Sequence, residues 1–310
     1  MLTSIKKIIK NILGPTSTKE LISSHSAIQS EGILFELMRE KMISSVLSNR
    51  ESGIESTMPD GECYVVSLTT HGRRIERVFQ TVESIFNQSK KANKVVLYLS
   101  KDEFKEAELP LTLQMQIKRG LEIRYVKDIR AYTKLIPALH DFPEANIITV
   151  DDDHIYPFDM IDLLSRCHHR YPKSVCCRVS REMTMNGKDS FNTYLTFNHT
   201  YPASYTTSPR FLALGYGGVL YPPHSLHPDV VNEELFTKLS PFADDLWYKA
   251  MELLQGTAVV QLPRSKSDRT AFEDKNYQEL GLWHENIDNH QNDRQIKAIF
   301  DHYNLYDALG

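Results

Sequence analysis

Cysteine is scarce in this chain, which argues against a disulfide-stabilised secreted protein. The 310 residues include only four cysteines, and none of them forms a Cys-x-x-Cys pair. Reduced core thiols in a cytoplasmic protein are the simplest explanation. A zinc cluster drawn from residues 167–169, CHH, and Cys176-Cys177 is the alternative, but its spacing matches no standard zinc finger.

Long hydrophobic runs and a surplus of basic residues are also missing. No apolar stretch approaches the roughly 18 to 20 residues of a membrane span, and the N-terminus lacks the core and cleavage site of a signal peptide. The formal net charge is −4, whereas nucleic-acid-binding domains are usually strongly basic. The sequence therefore predicts a cytoplasmic globular protein with no nucleic-acid partner.

The first sixty residues differ from the rest in pattern. Residues 1–13, MLTSIKKIIKNIL, place leucine and isoleucine near one helical face and three lysines toward the other. This pattern is typical of a helix lying on an anionic membrane surface, although a helix docked on its own domain gives the same pattern. A second helical segment is predicted from about residue 18 to 48, and the glycines and proline of residues 49–61 indicate a linker. We therefore predict a helical N-terminal extension, 1–60, and a second domain, 61–310.

Strands and helices alternate at the start of the second domain. Predicted strands are Cys63–Leu68, Lys94–Ser100, Leu121–Val126 and Ile147–Val150, with helical segments between them. Such alternation predicts an α/β fold with a parallel sheet and helices on both faces. Ligands of these folds bind at the carboxyl edge of the strands.

Three carboxylates follow the fourth predicted strand, in the stretch ANIITVDDDHIYP. We call Asp151, Asp152 and Asp153 the acid triplet. Neighbouring carboxylates repel one another, and a hard cation with oxygen ligands is their natural partner. The alternative is a solvated loop.

Two further features lie late in the chain. Asp244 and Asp245, the acid pair, precede a predicted helix, where they are candidates for a general base or for helix capping. His284 is a candidate metal ligand or a surface histidine.

Between the triplet and the pair, residues 191–205 are rich in aromatics, which could stack on a sugar or belong to the core. Residues 212–220, LALGYGGVL, indicate backbone that bends sharply or approaches a ligand.

The order of these features resembles the GT-A fold glycosyltransferases, particularly the bacterial family 2-like enzymes, from about Cys63 to Asn292. A strand ending in Asp-x-Asp carries the resemblance, supported by the loop TTHGRR and the segment YTKLIPAL. It implies a GT-A (Rossmann-like) mixed, mainly parallel sheet flanked by helices. It also implies transfer of a sugar from a nucleotide donor, expected to be UDP-linked, to a glycan or lipid-linked acceptor with inversion, in bacterial surface polysaccharide synthesis at the inner face of the cytoplasmic membrane.

The resemblance also implies roles for individual residues. Mn²⁺ or Mg²⁺ would be held by Asp153, Asp151 and His284, and Asp245, or else Asp244, would be the catalytic base. The implied donor-binding residues are Thr69, Thr70, His71, Arg73, Asp128, Lys134, Asp151 and Asp152.

Other functions stay open at this stage. The second predicted strand ends LYLSKDEF rather than in the Asp-Asp-Gly-Ser run usual in family 2, which leaves the nucleotide of the donor open. A sugar-nucleotide pyrophosphorylase would share the fold. That class normally has a glycine-rich phosphate loop after the first strand, whereas THGRR contains a single glycine, which counts against this alternative. A non-catalytic glycan-binding protein is the other alternative, and the two acid clusters count against it.

Overall fold

A computed structural model describes residues 36–57, 61–105, 109–265, 272–273 and 290–310. The chain divides into two compact units, Met1–Ser44 and Ser45–Gly310. The amphipathic segment 1–13 and His284 lie outside the described residues. Residues 36–48 form helix α1, within the second predicted helical segment. The predicted boundary between residues 60 and 61 stays a prediction.

The stretch predicted as a linker is hydrogen-bonded to the rest of the second unit. The Gly53 amide donates to the Arg119 carbonyl at 2.8 Å, and the Glu55 amide donates to the Ala92 carbonyl at 2.9 Å. A Cβ placed on Gly53 would lie 2.2 Å from the ring of Phe86. Glycine is therefore required here by close packing, not by chain flexibility.

The strands of the second unit form one large sheet and two small ones. They are β1 (Tyr64–Thr69), β2 (Lys94–Ser100), β3 (Leu121–Val126), β4 (Asn146–Thr149), β5 (His154–Ile155), β6 (Val175–Cys177), β7 (Ser180–Glu182), β8 (Asn198–His199), β9 (Thr206–Thr207), β10 (Phe211–Ala213), β11 (Val219–Tyr221), β12 (Val259–Gln261) and β13 (Phe272–Glu273). The large sheet has the order β3-β2-β1-β4-β11-β6-β12-β9. Strands β1 to β4 are mutually parallel, whereas β11 runs antiparallel to both β4 and β6. The predicted mixed, mainly parallel α/β sheet is confirmed.

Helices connect and cover the strands. They are α2 (Phe79–Phe86), α3 (Leu111–Ile117), α4 (Ile136–Asp141), α5 (Met160–Arg170), α6 (Glu233–Leu239), α7 (Asp244–Gln255) and α8 (Gln291–Tyr303). The connection between β3 and β4 consists of a 3₁₀ turn, Arg130–Lys134, followed by α4. Pro137 stands in the first turn of α4 and has no amide hydrogen to continue a helix backwards. Among the helices in the described part of the chain, none has the length and apolar composition of a membrane span.

The core fixes the two elements that later carry the acids. Residues 147–149 of β4, the strand that leads into the acid triplet, are at most 1% exposed, as expected for a strand of a sheet covered on both faces. Helix α7 is anchored by Trp247, which is completely buried and donates from Nε1 to the Val230 carbonyl at 3.1 Å. Removing a buried tryptophan costs about 3 to 5 kcal/mol. The first turn of α7 is therefore held firmly in place.

Candidate functional site

The carboxyl ends of β1, β3 and β4 lead into one cleft. Strands β1 and β4 pair in parallel with Ser67 opposite Thr149, so their following loops leave the same edge of the sheet. The cleft at this edge has a volume of about 610 Å³. Its lining includes the predicted residues Thr69, Thr70, His71, Asp128, Lys134, Asp151, Asp152, Asp153, Asp244 and Asp245. The two acid clusters therefore face one cleft, although they are far apart in sequence.

One predicted residue is replaced by its neighbour. Arg73 is exposed and does not line the cleft, whereas Arg74 does. The guanidinium of Arg74 contacts Asp152 Oδ1 at 2.7 Å and Asp153 Oδ2 at 2.5 Å. Both arginines lie in the 3₁₀ turn Gly72–Glu76, where adjacent side chains point in different directions.

The acid triplet is bound by further polar groups. The Thr70 hydroxyl donates to Asp152 Oδ2 at 2.5 Å, and Nδ1 of His154 lies 2.6 Å from Asp153 Oδ1. Burial raises the pKa of Asp152 to about 7, although Arg74 opposes the shift. Burial works in the same direction on Asp153, but His154 and Arg74 hold the pKa of its carboxyl below the usual value. Adjacent carboxylates thus have opposite pKa shifts.

Lys134 joins the two acid clusters. Its Nζ lies 2.8 Å from Asp151 Oδ1 and 3.1 Å from Asp244 Oδ2, and only 8% of its side chain is exposed. The resemblance implied that this lysine binds the donor. The structure places its ammonium between two carboxylates.

The glycine-rich segment, residues 212–220, leads to the same edge of the sheet through β11. Strand β11 is antiparallel to β4, with Val219 opposite Thr149, so the residues just before β11 lie at the carboxyl edge of β4. There the Gly215 amide is 3.2 Å from both carboxylate oxygens of Asp245. A Cβ on Gly215 would lie 2.6 Å from Lys134 Nζ. The predicted close approach at this glycine is thus to protein side chains.

Asp245 does not occupy the capping position of its helix. The N-cap of α7 is Ala243, and the acid pair fills the first turn. Burial, followed by the charge of Asp244, raises the pKa of Asp245 to about 8, although Lys134 opposes the shift. At neutral pH a carboxyl with this pKa is mostly protonated, and its carboxylate form, which acts as the general base, becomes more populated as the pH rises.

A second chain of contacts links the triplet to the glycine-rich segment. The Asp151 amide donates to the Tyr156 hydroxyl at 2.9 Å, and this hydroxyl donates to the Tyr216 carbonyl at 3.0 Å. The ring of Tyr216 stacks on His154 with centroids 5.5 Å apart. In the aromatic stretch 191–205, Phe197 is core, whereas Tyr201 is 59% exposed. A sugar-binding role for this stretch stays a prediction.

The chemistry of the lining fits a hard cation, although the described side chains do not converge on one point. Seven carboxylates line the cleft, against three lysine or arginine side chains. This excess of hard oxygen donors is suited to Mg²⁺ or Mn²⁺. No group of three or more potential metal ligands is assembled among the described residues, and the predicted ligand His284 lies outside them.

Several lining residues were not predicted from the sequence. Besides Arg74, they include Ser100, Glu103, Arg130, Thr133 and Phe242.

No protein-family model matches the chain, and no curated protein matches it.

Proposed function

We propose that this protein is a GT-A glycosyltransferase that moves a sugar from a nucleotide donor, first of all a UDP-sugar, to a glycan or lipid-linked acceptor. One observation carries the proposal. Lys134 contacts both Asp151 of the acid triplet and Asp244 of the acid pair inside one cleft. A transferase needs a group for the leaving diphosphate and a separate base for the acceptor, and these clusters are suited to the two tasks.

The acid triplet and the ends of β1 and β3 form the donor side in this proposal. Thr69, Thr70, His71 and Asp128 line the region where nucleotide and ribose would lie. A bound Mn²⁺ or Mg²⁺, held by Asp153 and Asp151 with His284, would neutralise charge on the diphosphate. Arg74 keeps Asp152 and Asp153 in place through its two ion pairs.

The acid pair forms the acceptor side. In an inverting transfer, the oxygen of the acceptor hydroxyl forms a bond to the anomeric carbon while the bond from that carbon to the diphosphate breaks. The hydroxyl proton passes to the carboxylate of Asp245, and the leaving group departs as a nucleoside diphosphate. Gly215 holds the Asp245 carboxylate through its amide, which orients the base.

The biological setting proposed is surface polysaccharide assembly in a bacterium, at the inner face of the cytoplasmic membrane. The basic amphipathic pattern of residues 1–13 supports a peripheral membrane contact.

The test is release of nucleoside diphosphate from a panel of nucleotide sugars, with Mn²⁺ and candidate acceptors present. We expect release with at least one UDP-sugar, together with a glycosylated acceptor. Absence of release with every donor and acceptor would contradict the proposal. The Asp245→Asn variant is the matched negative control, since it removes the base and keeps the size of the side chain.

A further inference from the structure

Within the described part of the chain, Arg130 differs from the other basic side chains of the cleft because its guanidinium contacts no carboxylate. Arg74 and Lys134 each contact two carboxylates. The described residues place no carboxylate in ion-pair contact with the guanidinium of Arg130. Instead this group lies over the ring of Phe242, 4.5 Å from its centroid, with one nitrogen 3.4 Å from the Pro241 carbonyl.

The backbone at Arg130 is in an unfavourable conformation. Its φ is +59°, in the left-handed region that bulky residues rarely adopt. The side chain of Asp128 accepts from the Arg130 amide at 2.7 Å and so supports the turn. Because the Arg130 side chain is exposed, core packing does not explain why an arginine stands where glycine or asparagine would fit better. Backbone strain of this kind is found preferentially at functional sites.

The position of Arg130 suits it to an anionic ligand. Arg130 and Phe242 both line the cleft, as do the acid triplet and the acid pair. Because the cleft is rich in carboxylates, an anionic substrate needs a cationic group that is not already neutralised. The Arg130 side chain is exposed and lies over an aromatic ring, and a guanidinium can donate two parallel hydrogen bonds to a phosphate.

We infer that Arg130, whose guanidinium lies over the ring of Phe242, binds a phosphate group of the substrate. The identification of that phosphate with a transferase substrate rests on the proposed function. Two sources carry the same chemistry, namely the diphosphate of the nucleotide donor and the diphosphate of a lipid-linked acceptor.

The test is calorimetric titration of the full-length protein with three probes in Mn²⁺ buffer: UDP, uridine and geranyl diphosphate. Arg130→Asn removes the charge while asparagine tolerates the left-handed backbone, so its melting temperature should not fall. We expect at least tenfold weaker binding of one diphosphate probe and unchanged binding of uridine, since a hydrogen bond to a charged group contributes about this much. A loss confined to UDP assigns the donor phosphate, and a loss confined to geranyl diphosphate assigns the acceptor phosphate.

Two further variants sharpen the test. Arg73→Asn is the matched control, because it makes the same charge change on an exposed arginine that does not line the cleft, and it should leave all affinities within twofold. Phe242→Leu should weaken the same probe about threefold by releasing the guanidinium from the ring.

Three results would overturn the inference. They are wild-type protein that binds neither diphosphate, an Arg130→Asn variant whose diphosphate affinities stay within twofold of wild type, and an equal loss for uridine. A protein that binds a diphosphate through Arg130 but releases no nucleotide from any donor would contradict the proposed function and leave this inference standing.

Discussion

The two sides of the cleft carry the same residue type in different surroundings. On the donor side, Asp152 and Asp153 share the guanidinium of Arg74, and Asp153 is also paired with His154. On the acceptor side, Asp245 has the amide of Gly215 and the nearby ammonium of Lys134. His154 and Arg74 lower the pKa of Asp153 despite its burial, whereas burial raises the pKa of Asp152 to about 7 and that of Asp245 to about 8. Environments that separate the pKa values of like groups are how active sites assign different roles to them.

Removing the cation of the donor side should have the largest effect on stability. Arg74→Met leaves two carboxylates without their partner, and the side chains of Arg74 and Asp152 are 13% and 7% exposed. Breaking a buried ion pair costs about 3 to 5 kcal/mol, so we expect a decrease of about 3 kcal/mol in the free energy of unfolding. Urea denaturation measures it. Arg73→Met is the matched control and should change stability by less than about 0.5 kcal/mol; equal losses in the two variants would contradict the assignment.

A methyl group on the acceptor side should have a smaller effect on stability and a large effect on transfer. Gly215→Ala puts a Cβ 2.6 Å from Lys134 Nζ and 3.2 Å from Asp245 Oδ1. We expect a loss of about 1 to 3 kcal/mol in stability from overpacking, and a transfer rate reduced at least tenfold because the base is displaced. Gly187→Ala is the control, since alanine is strained at its φ of +87° but no atom lies within 4 Å of the added carbon. It should lose stability yet keep its transfer rate per folded molecule.

The pH dependence of transfer should report on Asp245. The base acts as a carboxylate, and its pKa is raised to about 8, so the rate should increase with pH, about tenfold per unit below 8, and level off above it. In Lys134→Met the midpoint should move higher, because Lys134 opposes the rise in the pKa. A rate that is flat between pH 6 and 9 would show that the base is another group.

The strands and the edge at which the acids lie could be predicted from the sequence. Runs such as Lys94–Ser100 are almost continuously apolar and include β-branched residues, which is typical of strands buried on both faces. Parallel strands bring their carboxyl ends together at one edge of the sheet. This local pattern placed Asp151 and Thr69 at one edge. The start of α7 at the acid pair also follows from local pattern, because acids are favoured in the first turn of a helix.

The partners of the acids could not be predicted, because they depend on distances across the fold. Arg73 and Arg74 are adjacent residues of the same type, so the sequence does not indicate which of them enters the cleft. Their side chains leave the 3₁₀ turn in different directions, and only Arg74 lines the cleft. The antiparallel insertion of β11 beside β4, which brings Gly215 to Asp245, gives no local signal in the chain. Lys134 was predicted to bind the donor from the resemblance alone, whereas its contacts are the carboxylates of Asp151, which follows β4, and of Asp244 in α7.

The most direct test of a divided site compares Asp153→Ala with Asp245→Asn in parallel, measuring Mn²⁺-dependent donor binding and sugar transfer for each. We expect Asp153→Ala to lose donor binding and transfer together. We expect Asp245→Asn to bind the donor within about threefold of wild type. Its transfer rate should fall at least about a thousandfold, which lies within the range of about 10²- to 10⁴-fold that general base catalysis contributes. Unchanged donor binding in Asp153→Ala, or persistent transfer in Asp245→Asn, would contradict the central claim that one cleft holds a donor side and an acceptor side.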